Sequence, residues 1–243
     1  MRTAFNVALP DAPEALWRDT PRLHDLAYAY LKGLLLGGGL DPGDRISSEA
    51  VGRALSISRA PVTDAIRRLS VEGLLEILPQ VGCRVVQPVP AEVSDLYEIF
   101  GASEGVIARW AAERRSTAEA QAFRALCASL AADDGLAADP AARFLELRRR
   151  NRRRYEALHR LARSPLSTDS GETYWDRSDF LLRVTFGGHD LPGFVRDARA
   201  ALVDAVAAGD GPTAERETRQ YLVRLGREVA DVLERQARDQ TSR

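Results

Sequence analysis

The feature that most limits the fold of this chain is a pair of short helical patterns joined by a very tight connection. The first helix is expected over about residues 48–55, with an N-cap at Ser47 or Ser48. Only Ser56-Ile57 separates it from a second helix, which Ser58 caps. Two helices joined in this way predict a helix-turn-helix.

A third helical pattern precedes this pair, and a hairpin pattern follows it. Residues 23–35 place apolar side chains at helical spacing and stop at three consecutive glycines. After the pair, Leu74–Leu78 and Cys83–Val86 are typical of two short strands around a tight turn. This order predicts a winged helix-turn-helix over residues 21–88. The second helix of its turn can enter the major groove of DNA with its N-terminal end first.

The remainder of the chain shows no strand pattern beyond a stiff linker at Pro88 and Pro90. The expected helices are Val93–Arg115, Ala118–Asp133, Asp139 to about Ala162, about Tyr174 to 188, Pro192–Ala208 and a last helix capped by Thr213. The predicted fold class is therefore mostly α. A loosely ordered tail (1–20) precedes the winged helix-turn-helix domain, and an all-helical bundle (91–238) follows it.

Composition and charge exclude several classes of protein. The 243 residues are 45% hydrophobic and 28% charged, which excludes disorder throughout and collagen-like repeats. The longest apolar run, Leu26–Leu40, contains Lys32 and is too short to span a bilayer. The N-terminus lacks an apolar signal-peptide segment, so a cytoplasmic protein without membrane association is expected. Its two cysteines, Cys83 and Cys127, are expected to be reduced thiols.

Charge alone does not indicate nucleic-acid binding. Residues 1–90 carry ten Arg and Lys residues and ten Asp and Glu residues. Any contact with DNA must therefore depend on where a few arginines lie.

An ordered set of short motifs spans residues 42–86. The motifs are Pro42-Gly43-Asp44-Arg45, Ser58-Arg59-Ala60-Pro61-Val62, Arg68-Leu69, Glu72-Gly73-Leu74, and Gly82 followed by Val85. In this order they resemble the GntR family of bacterial transcriptional regulators. The resemblance implies a homodimer that binds a double-stranded DNA operator.

The same resemblance indicates which residues contact DNA. Arg59 matches the arginine that opens the recognition helix, whereas Thr63 and Glu49 stand where the family usually has arginine. Thr63 lies on the same face as Arg59 and can contact a base through its hydroxyl or methyl group. The predicted DNA-binding residues are Arg45, Ser58, Arg59, Ala60, Thr63, Arg67, Arg68, Gly82 and Arg84. Gly82 also has a structural explanation, because a tight hairpin requires a positive φ.

Residues 91–238 resemble the FCD subgroup of this family, whose C-terminal helical bundle holds an effector. The matching segments are Asp95–Glu98, Glu104, Ala111–Arg114 and Val203–Asp210. Many members of the subgroup bind a divalent metal with one aspartate and three histidines. The corresponding positions in this chain are Asn151, Tyr155, Arg199 and Tyr221. Because none of these is a good metal ligand, we expect no metal and no cofactor.

The altered positions suggest an anionic effector, such as a small organic acid. Arg199 stands at a former ligand position, and an arginine fork can bind a carboxylate bidentately. Phe100 replaces a frequent arginine and makes the pocket floor more apolar. The predicted effector residues are Phe100, Arg148, Asn151, Tyr155, Arg199 and Tyr221. In the alternative interpretation, the chain's own side chains fill the pocket and Arg199 pairs with a carboxylate such as Glu104.

These observations predict a DNA-binding transcriptional regulator, acting as a repressor, whose helical domain senses a small molecule. The alternative function is a dimeric DNA-binding protein with no effector. An enzyme is not expected, because the chain has no nucleophile–base pair and no phosphate-binding loop. His159 is expected to be a polar or capping residue, since the sequence indicates no carboxylate to join it.

Overall fold

The structure is a computed structural model that describes residues 7–20, 22–79, 82–131, 139–164, 167–187 and 199–241. The chain divides into two compact units. The first unit contains Met1–Pro88 and Asp176–Val184, and the second contains Val89–Trp175 and Thr185–Arg243. In the ranges just given, no helix is both long enough and apolar enough to cross a membrane.

The first unit confirms the predicted winged helix-turn-helix. Its elements are α1 (Glu14–Asp19), α2 (Leu23–Gly37), β1 (Arg45–Ile46), α3 (Ser48–Ala54), α4 (Arg59–Val71), β2 (Leu75–Leu78) and β3 (Gly82–Val85). The strands form one antiparallel sheet in the order β1-β3-β2. Strand β1 was not predicted, because two residues are too few to show an alternating pattern. Helix α1 lies within the segment expected to be loosely ordered.

The connection between α3 and α4 depends on a close approach of backbone at Gly52. The amide of Ile57 donates to the Gly52 carbonyl at 2.9 Å, and a Cβ on Gly52 would lie 2.9 Å from the Ile57 oxygen. Ser47 caps α3, since its hydroxyl accepts a hydrogen bond from the Ala50 amide at 3.1 Å. This packing fixes the first residue of α4, Arg59, relative to α3.

A leucine-rich core joins the helices of the first unit. Leu26, Leu31 and Leu35 of α2 pack with Leu69 of α4, and all four are fully buried. Phe180, from the Asp176–Val184 segment, belongs to the same apolar cluster. Burying such side chains is the main favourable term in the stability of a domain of this size.

A half-buried polar cluster lies beside this core. Lys32 forms an ion pair with Asp176 and donates a hydrogen bond to the Tyr28 hydroxyl at 2.5 Å. Burial alone would lower the pKa of Lys32, but the hydrogen bonds with Asp176 and Tyr28 outweigh it and the pKa is raised. Tyr28 in turn donates to Glu72, at the C-terminal end of α4, at 2.9 Å. The cluster therefore ties the end of α4 to α2.

The second unit is built from helices. They are α5 (Pro90–Arg114), α6 (Thr117–Ala131), α7 (Pro140–Ala162), the N-terminal part of α8 (Ser167–Phe186), α9 (Arg199–Ala208) and α10 (Gly211–Thr241). Helices α5 and α10 pack closely, because α5 presents Gly101 and Gly105 to the backbone of α10. A Cβ at these positions would lie 3.2 Å from the Arg219 oxygen and 3.1 Å from the Glu215 oxygen.

Several helix boundaries differ from the sequence prediction. Helix α8 begins at Ser167 rather than near Tyr174. The last helix begins at Gly211, and its cap is Asp210 instead of Thr213, because the Asp210 carboxylate accepts from the Thr213 amide at 3.0 Å. That backbone hydrogen bond lowers the pKa of Asp210. The predicted start of α9 at Pro192 lies outside the described residues.

We predict that Gly82→Ala destabilises the first unit. Gly82 has φ +132°, and a Cβ there would collide with the carbonyl oxygen of Ile46 on the neighbouring strand. The expected loss in the free energy of unfolding is about 1–3 kcal/mol, measured by urea denaturation. The matched control is Gly33→Ala in α2, where a Cβ meets nothing within 4 Å. It should stabilise by about 0.5–1 kcal/mol, and equal effects of the two variants would contradict the assignment of strain to Gly82.

Candidate functional site

The N-terminal end of α4 is open to solvent. Ser58 is its N-cap but makes no side-chain cap hydrogen bond, and Arg59 and Ala60 are exposed. The Thr63 hydroxyl donates to the Arg59 carbonyl at 3.0 Å, which places the two side chains one turn apart on the same face. A helix end with exposed amides, a positive dipole and a long cation can contact either a phosphate or a base edge.

Four of the predicted DNA-binding arginines pair with carboxylates of the same unit. The pairs are Arg59–Glu49 at 2.7 Å, Arg67–Asp64 at 3.6 Å, Arg68–Glu72 at 3.2 Å and Arg84–Glu76 at 2.6 Å. Exposed ion pairs of this kind contribute only about 0–1 kcal/mol, so a phosphate can compete for the arginine. The surface is thus nearly balanced in charge, and its contacts with DNA depend on geometry.

The wing brings together residues that are distant in sequence. Arg45 on β1 lies opposite Arg84 on β3, and Arg84 lies opposite Glu76 on β2. Directly opposed residues share one face of a sheet, so these three side chains form a row across the wing. Gly82 opens β3 in the same hairpin. The row depends on β1, the strand that the sequence did not indicate.

Arg68 differs from the other predicted DNA-binding arginines in its surroundings. Its guanidinium carbon lies 3.7 Å from the centroid of the Tyr28 ring, in addition to its bond to Glu72. Stacking on an aromatic face holds the guanidinium in place. Arg68 therefore supports the C-terminal end of α4 as well as carrying charge.

In the second unit, a fully buried carboxylate lies between a histidine and a tryptophan. Both oxygens of Glu104 are within 2.9–3.0 Å of His159 Nε2, and the Trp175 indole N–H donates to Glu104 at 3.3 Å. Glu104 is 0% exposed. The sequence indicated no carboxylate for His159 because 55 residues separate the two, and it considered Glu104 only as a partner of Arg199.

A cavity of about 410 Å³ lies beside this histidine, between α7 and α8. Its lining residues are Arg152, Tyr155, Glu156, His159, Arg160, Arg163, Ser164, Glu172 and Trp175. The rings of Tyr155 and Trp175 form an aromatic wall, with centroids 4.1 Å apart. The Arg152 guanidinium carbon lies 5.9 Å from the Trp175 ring centroid. The cavity therefore combines an apolar wall with charged groups at its edge.

The predicted effector residues have different surroundings. Tyr155 is buried in the cavity wall, and Phe100 packs edge-on against Trp175 at a centroid distance of 4.8 Å. Tyr221 is also buried, whereas Arg148 is half-buried. Arg199 opens α9, but its side chain lies outside the described part of the chain. The structure thus brings two of the six, Tyr155 and Phe100, into contact with Trp175, a residue that the sequence analysis did not select.

The side chain of Asn151 lies beside the guanidinium of Arg154. Arg154 donates to the Asn151 side-chain oxygen at 3.5 Å, and Arg154 is only 3% exposed. Arg154 belongs to an arginine-rich stretch over residues 148–154, and its burial is a feature that sequence reasoning missed.

The FCD resemblance implies a divalent metal, but the residues at its four ligand positions do not fit one. These residues are Asn151, Tyr155, Arg199 and Tyr221. Amide and phenol groups stand at three of the four positions, and Asn151 faces a cation. In the ranges that the structure describes, no three His, Cys, Asp or Glu side chains are grouped so that they could hold a metal ion.

Comparisons with known proteins identify both units. A model of the bacterial regulatory proteins of the gntR family matches residues 23–85, and a model of the FCD domain matches residues 95–224. An uncharacterised helix-turn-helix-type transcriptional regulator from the TAR-I ttuE-ttuC' intergenic region of Agrobacterium vitis is 33% identical over 82 residues. That match covers 34% of this chain, and the chain spans 48% of the length of that relative.

Two solved structures resemble the fold along most of the chain. McbR/YncC of E. coli has a TM-score of 0.67 at 19% identity, covering 89% of this chain and 99% of that one. A protein of Rhodococcus sp. RHA1, described as a GntR transcriptional regulator, has a TM-score of 0.65 at 20% identity, covering 86% and 98%. At these identities the likeness concerns the fold.

A winged helix-turn-helix with an open recognition helix, joined to a helical domain, defines the class of DNA-binding transcriptional regulators. The chain belongs to the gntR family of bacterial regulatory proteins and carries an FCD domain. The Agrobacterium vitis relative is likewise described as a helix-turn-helix-type transcriptional regulator.

We predict that His159→Ala destabilises the second unit. The variant leaves the buried Glu104 carboxylate with the Trp175 indole as its described partner. The expected loss in the free energy of unfolding is about 2–4 kcal/mol, measured by urea denaturation. The matched control is His24→Ala, because His24 is exposed and pairs with Asp25 at 3.5 Å. It should change the value by less than about 0.5 kcal/mol, and a similarly small effect of His159→Ala would contradict this prediction.

Proposed function

We propose that this regulator binds its operator as a homodimer through the N-terminal end of α4, represses transcription, and is released by a small anionic effector. The observation that carries the DNA-binding role is the exposed Arg59 at the open end of α4, with Thr63 one turn behind it. The wing residues Arg45 and Arg84 supply a second contact with the DNA backbone.

We propose a homodimer because a single recognition helix contacts only a short stretch of DNA. One recognition helix reads one short half-site, so high affinity requires two copies related by two-fold symmetry at a pseudo-palindrome. Regulators of this family bind DNA operators and typically function as dimers. Because the charges around α4 are nearly balanced, one copy contributes only weak electrostatic attraction to DNA. A second copy doubles that contribution.

The effector role is supported by the cavity beside His159. Tyr155 and Trp175 give it an aromatic wall, and Arg152 and Arg160 are at its edge. Such a site suits a molecule with an apolar body and a carboxylate, which an arginine can bind bidentately. The second candidate function, a dimeric DNA-binding protein without an effector, applies if the cavity binds nothing.

Repression with release by the effector is the sign of regulation that we propose. A ligand can shift a population of conformers only by its differential affinity for the two states. Most relative positions of the two DNA-binding domains in a dimer do not fit the two half-sites of an operator. An effector that favours another spacing of these domains therefore lowers the affinity for DNA. The same argument predicts that operator DNA weakens effector binding by an equal factor.

We predict that Arg59→Ala weakens binding to a duplex that the parent protein enriches from a randomised pool. The expected cost is about 1–3 kcal/mol in gel-shift titrations at fixed salt, with loss of base preference at one position in each half-site. The control is Arg18→Ala, because Arg18 forms a still more exposed ion pair with Glu14 in α1. Unchanged affinity of Arg59→Ala would remove this residue from the recognition role.

We predict that aromatic and aliphatic carboxylates raise the melting temperature of the parent protein and weaken its operator binding. A panel running from benzoate to medium-chain alkanoates tests this by thermal shift, followed by titration of operator binding with each hit. Tyr155→Ala and Arg152→Ala should each reduce the shift, because both residues line the cavity. Absence of any saturable shift would favour the function without an effector. Equal shifts in the parent and in both variants would locate the effector elsewhere.

A further inference from the structure

Glu49 places a negative charge at the end of the helix-turn-helix that is expected to face DNA. It lies in the first turn of α3, and its Oε2 is 2.7 Å from Nη2 of Arg59, the first residue of α4. The Glu49 side chain is 58% exposed and that of Arg59 is 69% exposed. A carboxylate at this place repels phosphates, so it lowers the affinity for DNA of any sequence.

A carboxylate in the major groove can accept hydrogen bonds from particular bases. The hydrogen-bond donors on its base edges are the exocyclic amino groups of cytosine and adenine, and Glu or Asp accepts from the cytosine N4. An arginine fork prefers the O6 and N7 atoms of guanine. A single G·C base pair presents these two acceptors and the cytosine amino group side by side.

The observed ion pair leaves the required groups available. A guanidinium carries five N–H donors, and the bond to Glu49 occupies Nη2. The other nitrogens of Arg59 can bind guanine, and the carboxylate retains acceptor sites for cytosine. The pair also restricts the Arg59 side chain before DNA arrives, which reduces the conformational entropy lost on binding.

The backbone around the pair is held firmly. Ser47 caps the helix that carries Glu49, and the contact between Gly52 and Ile57 fixes that helix against the start of α4. The spacing between the two backbone positions that carry the carboxylate and the guanidinium is therefore a property of the folded turn.

We propose that Glu49 is a specificity-determining residue: together with Arg59 it forms a donor–acceptor pair that reads one G·C base pair in each half-site. This inference rests on the proposed role of Arg59 in DNA recognition. The competing explanation is a general electrostatic effect, in which Glu49 weakens binding to every duplex equally.

The test uses the full-length protein and a randomised duplex pool. The parent protein selects a preferred duplex, and Arg59→Ala identifies the position at which preference depends on Arg59. Glu49→Gln, which removes the charge, and Glu49→Ala, which removes the acceptor, are then titrated against that duplex and against one with A·T at that position. The matched control is Glu14→Gln, which breaks the exposed ion pair with Arg18. Melting temperatures establish that each variant is folded.

The proposal predicts a G·C pair at the position that depends on Arg59. It also predicts that the parent discriminates against A·T there by about tenfold or more. Glu49→Ala should reduce this ratio by about threefold or more, Glu49→Gln, which keeps an acceptor oxygen, should reduce it less, and Glu14→Gln should leave it unchanged. A ratio that persists in both Glu49 variants overturns the proposal, even if their affinity for all duplexes rises. Another base pair at that position also overturns it.

The experiment distinguishes a failure of the proposed Arg59 role from a failure of the proposed Glu49 role. If Arg59→Ala binds the selected duplex as the parent does, the proposed recognition role fails and this inference fails with it. If Arg59→Ala loses affinity while both Glu49 variants keep the preference, the proposed function stands and only the role of Glu49 is wrong.

Discussion

The close approach of α3 to the start of α4 is the constraint on which the DNA-binding surface depends. Gly52 allows the backbone at Ile57 to come within contact distance, where any side chain would have to displace a carbonyl oxygen. That approach fixes the backbone spacing between Glu49 and Arg59, whose side chains form an ion pair at 2.7 Å. A turn of greater length would leave the two side chains independent of each other.

Nearly balanced charge is the second property that shapes how this regulator works. Four of the arginines that we propose to contact DNA have carboxylate partners, so the proposed surface is not strongly basic. Each partner lowers non-specific affinity, and it does so most strongly at low salt, where phosphates attract cations over longer distances. Under the proposed function, specific binding then comes from a few well-placed contacts and from two copies of the recognition helix.

Local patterns were enough to predict α2, α3, α4, β2 and β3 of the winged helix-turn-helix in their order. The tight Ser56-Ile57 connection, the N-caps and the helical spacing are all signals carried by neighbouring residues, and the helix-turn-helix is where they are densest. Strand β1 escaped prediction because its pairing with β3 is a tertiary contact between distant residues. The Asp210 cap was missed for a different reason, since Asp210 and Thr213 are both acceptable caps and only the geometry decides between them.

The site in the helical domain was harder to predict, since its contacts join distant helices. Family resemblance selected Tyr155 and Phe100, and the structure links both to Trp175. The bond between His159 and Glu104 spans α5 and α7, and the burial of Arg154 depends on how α7 packs. A helical stripe in the sequence indicates which residues share a face, but it does not indicate what that face meets.

Chemical protection of guanine and adenine in the protein–DNA complex tests the central claim most directly. Dimethyl sulfate methylates guanine N7 in the major groove and adenine N3 in the minor groove. If α4 reads the major groove through Arg59, the parent protein protects N7 of at least one guanine in each half-site, and Arg59→Ala loses that protection at the same positions. Unchanged N7 reactivity of every guanine, with protection only at adenine N3, would contradict the account.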